Sequence, residues 1–203
     1  MEKVEVYEIV INDHDESGVD YTALVDQAAI MKNFMAFNKQ HRIEFKASDD
    51  DKQIILGAAM IPDLKIYRNS PERGDFYVYF TKDTIRKINN KMHRNGFGRN
   101  INLMHNKEQT LNDVYIVFTF ITDSKMGITD PKGFDNPEGT LYFGMHINNV
   151  ELWNEYKEHG TINGVEINGF SVEGLFDQVL VEETKEDKIL KEIKSIIKSE
   201  FKA

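Results

Sequence analysis

Ile54-Ile55-Leu56-Gly57-Ala58-Ala59-Met60-Ile61 is an uninterrupted apolar stretch that ends at Pro62. A short apolar run without charges is typical of a strand buried inside a sheet. Proline has no backbone N–H to donate to a neighbouring strand, so it ends such a segment. The stretch therefore predicts a buried β-strand that stops at Pro62.

Strand patterns also lie on both sides of this run. Residues 4–11 alternate apolar and charged side chains before they become apolar, and residues 43–47 alternate as well. Alternation with a period of two is the mark of a half-buried strand, and β-branched or aromatic residues favour strands in general. Further strands are predicted over 76–80, 114–121, 140–147 and 165–173.

Two helices are predicted within this strand-rich chain. Thr81 can cap the first of them, in which Ile85, Ile88 and Met92 share one face. The second covers residues 150–159 and ends at Gly160. Many strands with a few helices predict an α+β, mainly β domain.

The C-terminal residues 184–203 have a different character from residues 1–183. An apolar stripe is set against Lys and Glu on the other face, formed by Ile189, Leu190, Ile193, Ile196, Ile197 and Phe201. This pattern predicts an amphipathic helix that must bury its apolar face. Two interpretations remain open, which are docking on its own domain and a dimer or scaffold contact.

Composition excludes several classes of protein. The 203 residues include no cysteine, which excludes a disulfide framework and a thiolate nucleophile. The net charge of −9 argues against a nucleic-acid binder, which needs a basic face. No apolar run is long enough to cross a membrane. The acidic start of the chain lacks the basic and apolar segments of a signal peptide, so export is not expected.

Two short segments carry the residues best suited to chemistry. Asn102-Leu103-Met104-His105-Asn106 places a histidine after an apolar pair, and Asn168-Gly169-Phe170-Ser171-Val172-Glu173-Gly174 places a serine between glycines. A serine hydroxyl becomes a nucleophile when a neighbouring base takes its proton, and histidine has a suitable pKa for that task. Residue types alone leave a structural role open for both His105 and Ser171.

The chain resembles the prohead proteases of tailed phages, in particular their XkdF-like branch. Three stretches carry the N-terminal part of the resemblance: 24–30, with Ala28 where proline is usual, 60–68, and the helix start at 80–85. His105 lies where this branch places its catalytic histidine. The segment 169–174, with Pro137 to Thr140 and Trp153 before it, resembles the closing block that carries the serine. The likeness covers residues 20–177.

This branch is itself similar to the herpesvirus assemblins, which implies a compact β-barrel ringed by helices. The resemblance further implies a serine endopeptidase that cleaves scaffold and major capsid protein segments inside the immature prohead, in the host cytoplasm. Ser171 would be the nucleophile and His105 the base. It implies no cofactor, no metal, no nucleic acid and no membrane. A homo-oligomer formed through residues 184–203 is a further hypothesis.

The third member of a catalytic triad is left open by the sequence. Relatives often carry a Glu in the strand after the histidine, where this chain has Phe118, and no histidine follows Ser171. Glu173 lies two residues from Ser171, so both side chains would leave the same face of a strand. Asp113 is its rival, and the remaining candidates are Asp123 and His146.

Other interpretations stay open beside the protease. The first is a catalytically inert capsid-assembly or scaffold-binding protein on the same fold, and the second is an unrelated small-molecule hydrolase. A metal site is not predicted, because no HExxH or comparable ligand spacing is present. The Gly-rich stretch over 127–139 is either a substrate lid or a surface loop.

Overall fold

Strands dominate the structure, a computed structural model that describes residues 4–26, 46–49 and 52–182. In chain order the strands are β1 (Glu5–Val10), β2 (Gly18–Val25), β3 (Lys46–Asp49), β4 (Ile54–Met60), β5 (Ile66–Ser70), β6 (Gly74–Phe80), β7 (Ile101–Leu103), β8 (Asn106–Thr110), β9 (Val114–Ile121), β10 (Leu141–Ile147), β11 (Thr161–Ile162), β12 (Val165–Glu166), β13 (Gly169–Leu175) and β14 (Asp177–Leu180). The helices are α1 (Lys82–Asn95) and α2 (Val150–His159). The predicted α+β, mainly β class is confirmed. The predicted helix over 184–203 lies outside the described residues, as do Ala28 and the start of the strand predicted over 43–47.

Within the described residues, the strands form three four-stranded sheets and one two-stranded ribbon. The orders are β14-β1-β6-β5, β3-β4-β10-β9 and β13-β2-β7-β8, and β11 pairs with β12. Pairing is mostly antiparallel, but β1 runs parallel to β6 and β2 runs parallel to β7. None of these sheets closes on itself in the described parts of the chain, so the assemblin-like barrel expected from the resemblance is not confirmed.

One hydrophobic core joins the three larger sheets to both helices. The central strand β4 contributes Ile55 and Met60, which confirms the buried strand predicted from the apolar run. Side chains from β2, β6, β7, β10 and β13 pack into the same cluster. The apolar face of α1 and Trp153 of α2 also belong to this core, as do residues of β1, β5, β9 and β11.

Local capping explains where the helices begin and end. The Thr81 hydroxyl accepts a hydrogen bond from the N–H of Thr84, and Gly96 ends α1 in the left-handed conformation. Asn149 and Gly160 perform the same two tasks for α2. The predicted N-cap of α1 is therefore confirmed, although the helix runs three residues beyond Met92. No helix in the described ranges has the length and apolar character needed to span a bilayer.

A buried lysine on α1 holds the loop between β1 and β2. Lys91 Nζ donates to the carbonyl oxygens of Asn12 (2.6 Å) and Asp15 (2.7 Å), and it lies 3.6 Å from Asp15 Oδ1. Hydrogen bonds from the Ser17 hydroxyl and backbone N–H, with the Lys91 charge adding to them, hold the pKa of Asp15 below its ordinary value. We call this set, Asn12, Asp15, Ser17 and Lys91, the lysine clamp.

The stretch over 127–139 packs against the sheet. The Tyr142 hydroxyl donates to the Asp130 carboxylate and accepts from Asn136 Nδ2 at 2.7 Å. Burial raises the pKa of Tyr142, so the phenol remains protonated and can donate. The Phe134 ring meets the Tyr142 ring edge-on, with centroids 5.2 Å apart. These contacts favour a structured surface loop over a lid.

Candidate active site

The candidate site lies on one face of the sheet β13-β2-β7-β8. Ser171 on β13 is paired with Ala23 on β2, which is paired in turn with Asn102 on β7. Residues directly opposite one another on neighbouring strands project from the same face of a sheet. Ser171, Ala23 and Asn102 therefore form one row, and all three are buried. The other face carries Leu24, Leu103 and Phe170 into the core.

Glu173 lies on the same face of the sheet, two residues beyond Ser171 on β13. Its Oε1 accepts a hydrogen bond of 2.7 Å from Asn102 Nδ2. Asn102 is fully buried, so its amide is held by the surrounding packing and fixes one carboxylate oxygen of Glu173. The pairing of β2 with β7 and of β2 with β13 is what brings Asn102 and Glu173 together.

His105 reaches the same carboxylate from the β7–β8 hairpin. Its Nδ1 lies 3.3 Å from Glu173 Oε1, the oxygen that Asn102 also contacts. The His105 side chain is 44% exposed and that of Glu173 is 19% exposed. Glu173 therefore links a buried amide to an imidazole that solvent and a substrate can reach. Within the described residues, His105 Nε2 has no hydrogen-bond partner.

The hairpin that presents His105 has an unusual turn. Leu103 pairs with Asn106, so Met104 and His105 form the two-residue connection, with φ of 52° and 61°. Positive φ at both positions defines a type I′ turn, which usually carries Asn-Gly. Bulky residues in this conformation are strained, and such strain tends to persist at functional sites. Met104 is anchored by donating its N–H to the Leu24 carbonyl at 3.0 Å.

The Ser171 hydroxyl lies on the buried part of this face. Ser171 is only 6% exposed, and in the described parts of the chain it makes no hydrogen bond with His105. Catalytic hydrogen bonds are often long in ligand-free enzymes and shorten when substrate binds. Ser171 and Glu173 share a face of β13, so Glu173 holds the imidazole on the side of the sheet to which the hydroxyl points.

Asp113 and Asp123, two other acids considered for the third position, lie elsewhere in the structure. Asp113 is exposed in the turn before β9, where its carbonyl accepts the N–H of Asn148 at 2.8 Å. Asp123 accepts the N–H of Lys125 at 3.0 Å and begins a short 3₁₀ turn. Neither pairs with His105 in the described residues. Of the acids weighed from sequence, Glu173 is the one that the fold brings to the histidine.

His146 and Phe118 lie on the sheet β3-β4-β10-β9, where each packs against a neighbouring residue. The His146 ring packs against Tyr115 with centroids 5.3 Å apart. Phe118, which the resemblance sets at a position where a Glu is often found, covers Gly144, and a methyl group added to Gly144 would overlap the Phe118 ring. The absence of an acid at position 118 is thus matched by a packing role for the phenylalanine.

Arg94 also has a structural partner. It lies 3.9 Å from the Asp13 carboxylate, at the loop held by the lysine clamp. Arg99 belongs to the 3₁₀ turn that follows α1. Among the residues that the structure describes, no group of three or more His, Asp or Glu side chains is arranged to hold a metal ion.

Asn102 is the functional candidate that sequence reasoning did not assign. It was noted only as a neighbour of His105, and no local pattern indicates that its amide meets a carboxylate 71 positions away. Its Oδ1 is buried without a hydrogen-bond partner in the described structure, as is Thr22 Oγ1 on the preceding row. Orphaned polar atoms are rare in folded proteins and often mark a site whose function constrains it.

Comparison with known proteins places the chain in a family. A family model described as "Putative phage serine protease XkdF" matches residues 41–177, a range that includes His105, Ser171 and Glu173. No curated protein and no solved structure matches the chain significantly. Because the matched range spans more than half of the 203 residues, this chain belongs to the family that this model describes.

Proposed function

We propose that the protein is a serine endopeptidase that cleaves scaffold and capsid-protein segments during phage head maturation. Ser171 is the nucleophile, His105 the general base and Glu173 the residue that orients the imidazole. The observation that carries this proposal is the sharing of Glu173 Oε1 between Asn102 Nδ2 (2.7 Å) and His105 Nδ1 (3.3 Å). A carboxylate on Nδ1 fixes the ring tautomer, and Nε2 is then the atom that accepts a proton.

The reaction follows from these roles. His105 Nε2 takes the Ser171 proton as Oγ forms a bond to the substrate carbonyl carbon. The tetrahedral intermediate collapses, the C–N bond breaks, and the leaving amine takes the proton from Nε2. Water then attacks the acyl-enzyme with His105 again as base, which releases the acid product and restores Ser171. Glu173 stabilises the imidazolium that forms in both halves.

A capsid-assembly or scaffold-binding protein without turnover is the second candidate. It is favoured by the burial of Ser171 and by the missing Ser171–His105 hydrogen bond in the described structure. This protein would bind the same scaffold and capsid partners in the host cytoplasm but would not cleave them. The two candidates therefore differ in one observable, the fragmentation of a partner chain.

Mass spectrometry of partner chains separates the two candidates. The wild type and a Ser171→Ala variant are each incubated with the phage's scaffold and major capsid proteins. We expect fragments with the wild type and none with Ser171→Ala, because the nucleophile accounts for most of the rate, about 10⁶-fold in a comparable hydrolase. Binding of both variants without fragments would establish the assembly role. Fragments from both would remove Ser171 from the mechanism.

We also propose that residues 184–203 mediate self-association. The proposal rests on the apolar stripe in their sequence. Light scattering after size-exclusion chromatography, with and without residues 184–203, tests it. Equal protomer counts for the two chains would contradict it, and a lower count for the shortened chain would support it.

A further inference from the structure

A cavity of about 300 Å³ lies beside the strand that carries Ser171. Its walls come from β1, β5, β6 and β14 of one sheet, from β4 of a second sheet and from β13 of a third. Apolar side chains dominate these walls, among them Met60, Ile66, Phe76 and Val78. A volume of this size is at the lower end of the range for ligand pockets and is enough for a few apolar side chains.

The cavity follows the edge of β13 and not one of its faces. Ser171, Val172, Gly174 and Leu175 all line it. Alternate side chains of a strand point to opposite faces, so a cavity that meets neighbouring residues must run along the strand's edge. β13 stands at the end of its sheet in the described structure, with β2 on its inner side. Some of its N–H and C=O groups between Ser171 and Leu175 consequently face away from β2.

Arg68 is the one charged residue among those that line the cavity. It lies on β5 opposite Phe76, so its side chain shares a face with the apolar wall. Its guanidinium donates to the Tyr67 carbonyl at 3.2 Å, and within the described residues it pairs with no carboxylate. Arg68 is an exposed residue, but partial desolvation by its surroundings lowers the pKa of its guanidinium from the ordinary value.

We propose that the cavity is the substrate cleft and that it binds an extended peptide as an added strand along β13, with apolar side chains in the cavity and a substrate carboxylate on Arg68. The strand edge, the apolar walls and Arg68 would each bind a different part of one ligand. Unpaired strand edges bind a peptide backbone, apolar walls take its side chains, and an arginine that pairs with no carboxylate in the described residues can bind an acidic group.

This inference rests on the proposed function and names its substrate class. A peptide added along β13 passes Ser171, which is itself part of the cavity wall. An apolar segment that contains one acidic residue is therefore the sequence we expect around or beside the cleaved bond. A second copy of the chain paired edge to edge is the competing occupant. It also explains the strand edge, and the oligomeric state of the protein distinguishes it from a bound peptide.

Peptide binding to the Ser171→Ala variant tests the cleft without requiring catalysis. The probes are two dye-labelled libraries of short peptides, apolar at every position except one, which is Glu in the first library and Gln in the second. Fluorescence anisotropy should show binding of the Glu library about tenfold tighter than the Gln library, the effect of one charge-assisted pair. A further Arg68→Gln substitution should remove that difference. Arg86→Gln, on the exposed face of α1, is the matched control and should leave it unchanged.

Backbone methylation tests strand addition itself. The tightest peptide is made in two forms, each N-methylated at alternate residues. Only one of the two sets of N–H groups can face β13, so one form should bind at least tenfold more weakly while the other binds like the parent. Equal binding of both forms would overturn strand addition.

Two other outcomes would also overturn the proposal. The first is no binding of either library to the folded Ser171→Ala variant. The second is a concentration-dependent dimer that Leu175→Glu abolishes, which would assign the edge to a second copy. Failure of the cleft and failure of the protease are distinguishable. Cleavage without library binding would retain the protease and reject the cleft, whereas library binding without cleavage would retain the cleft and reject the protease.

Discussion

Two buried polar side chains, Lys91 and Asn102, each join parts of the chain that are distant in sequence, and they differ in how completely they are satisfied. Lys91 Nζ has three oxygen atoms around it, two of them carbonyls at 2.6 and 2.7 Å. Asn102 donates to Glu173 at 2.7 Å, yet its own Oδ1 has no partner in the described residues.

The difference indicates which of the two connections serves stability. Burying a polar group costs free energy unless it is hydrogen-bonded. Lys91, whose ammonium group is fully hydrogen-bonded, can therefore stabilise the fold. A half-satisfied asparagine is a poor choice for stability alone, and an apolar side chain of the same shape would avoid the cost. We infer that Asn102 is retained because it positions Glu173 for His105.

The largest expected effect is on activity, from Glu173→Gln. The amide cannot stabilise an imidazolium and does not fix the ring tautomer, so kcat should fall by about 10³- to 10⁴-fold. Peptide cleavage followed by mass spectrometry measures it. Glu166→Gln on β12 is the control and should cleave the peptide at the wild-type rate. A loss below tenfold for Glu173→Gln would place Glu173 outside the catalytic arrangement.

The largest effect on stability is expected from Lys91→Met. The substitution keeps the aliphatic length but leaves the carbonyls of Asn12 and Asp15 without their donor, so the free energy of unfolding should fall by about 3 kcal/mol. Urea titration at neutral pH measures this change. Lys87→Met, on the exposed side of α1, should change it by less than about 0.5 kcal/mol. If Lys91→Met instead reduced kcat per folded molecule, the contrast with Asn102 would be lost.

Asn102→Leu should show the opposite pattern, a loss of activity without a loss of stability. Removing the amide frees the Glu173 carboxylate to rotate, so kcat should fall by about 30-fold, equivalent to about 2 kcal/mol. The urea midpoint should stay unchanged or rise, because the orphaned Oδ1 is removed as well. Thr22→Val is the matched control, since it removes the other orphaned oxygen of this sheet but no contact to Glu173. Equal kcat values for Asn102→Leu and Thr22→Val would assign Asn102 to packing alone.

The smallest effect concerns the pH dependence of the lysine clamp. The pKa of Asp15 is held below its ordinary value near 3.8, so the unfolded chain binds that proton more readily than the folded one. The stabilisation from Asp15 is present above the unfolded pKa and is lost as the pH falls through the folded pKa. Urea midpoints measured from about pH 6 to about pH 3 should fall less steeply for Asp15→Asn than for the wild type. Parallel curves would show that Asp15 adds nothing to the clamp.

Local signals predicted much of the fold. The apolar run at 54–61, the capping Thr81 and the glycines at 96 and 160 act through neighbouring residues, and the elements that they define are present. The sequence patterns did not predict strands β2, β5, β7, β8 and β14. Two of them are weakly patterned: β8 consists of exposed polar residues, and β14 is exposed along its whole length. β14 pairs with β1 near the start of the chain, whereas β8 pairs with the adjacent β7 across a turn that lacks the usual Asn-Gly signal.

The site was predictable only in part, because contacts between strands that are distant in sequence leave no local pattern. The spacing of Ser171 and Glu173 in one strand predicts a shared face, and the register agrees with that spacing. The contact of Asn102 with Glu173 depends on β2 lying between β7 and β13, which no short-range pattern indicates. The left-handed Met104 and His105 lack the Asn-Gly signal of their turn type, so the hairpin was missed as well.

A covalent probe tests the central claim most directly, namely that His105, held by Glu173, activates Ser171. Intact mass spectrometry after treatment with a fluorophosphonate should show one added group on the wild type, located at Ser171 by peptide mapping. Labelling should be absent in Ser171→Ala and at least a hundredfold slower in Glu173→Gln. An unlabelled Ser171 in a wild type that still cleaves its partner chains, or equal labelling rates in the wild type and Glu173→Gln, would contradict the claim.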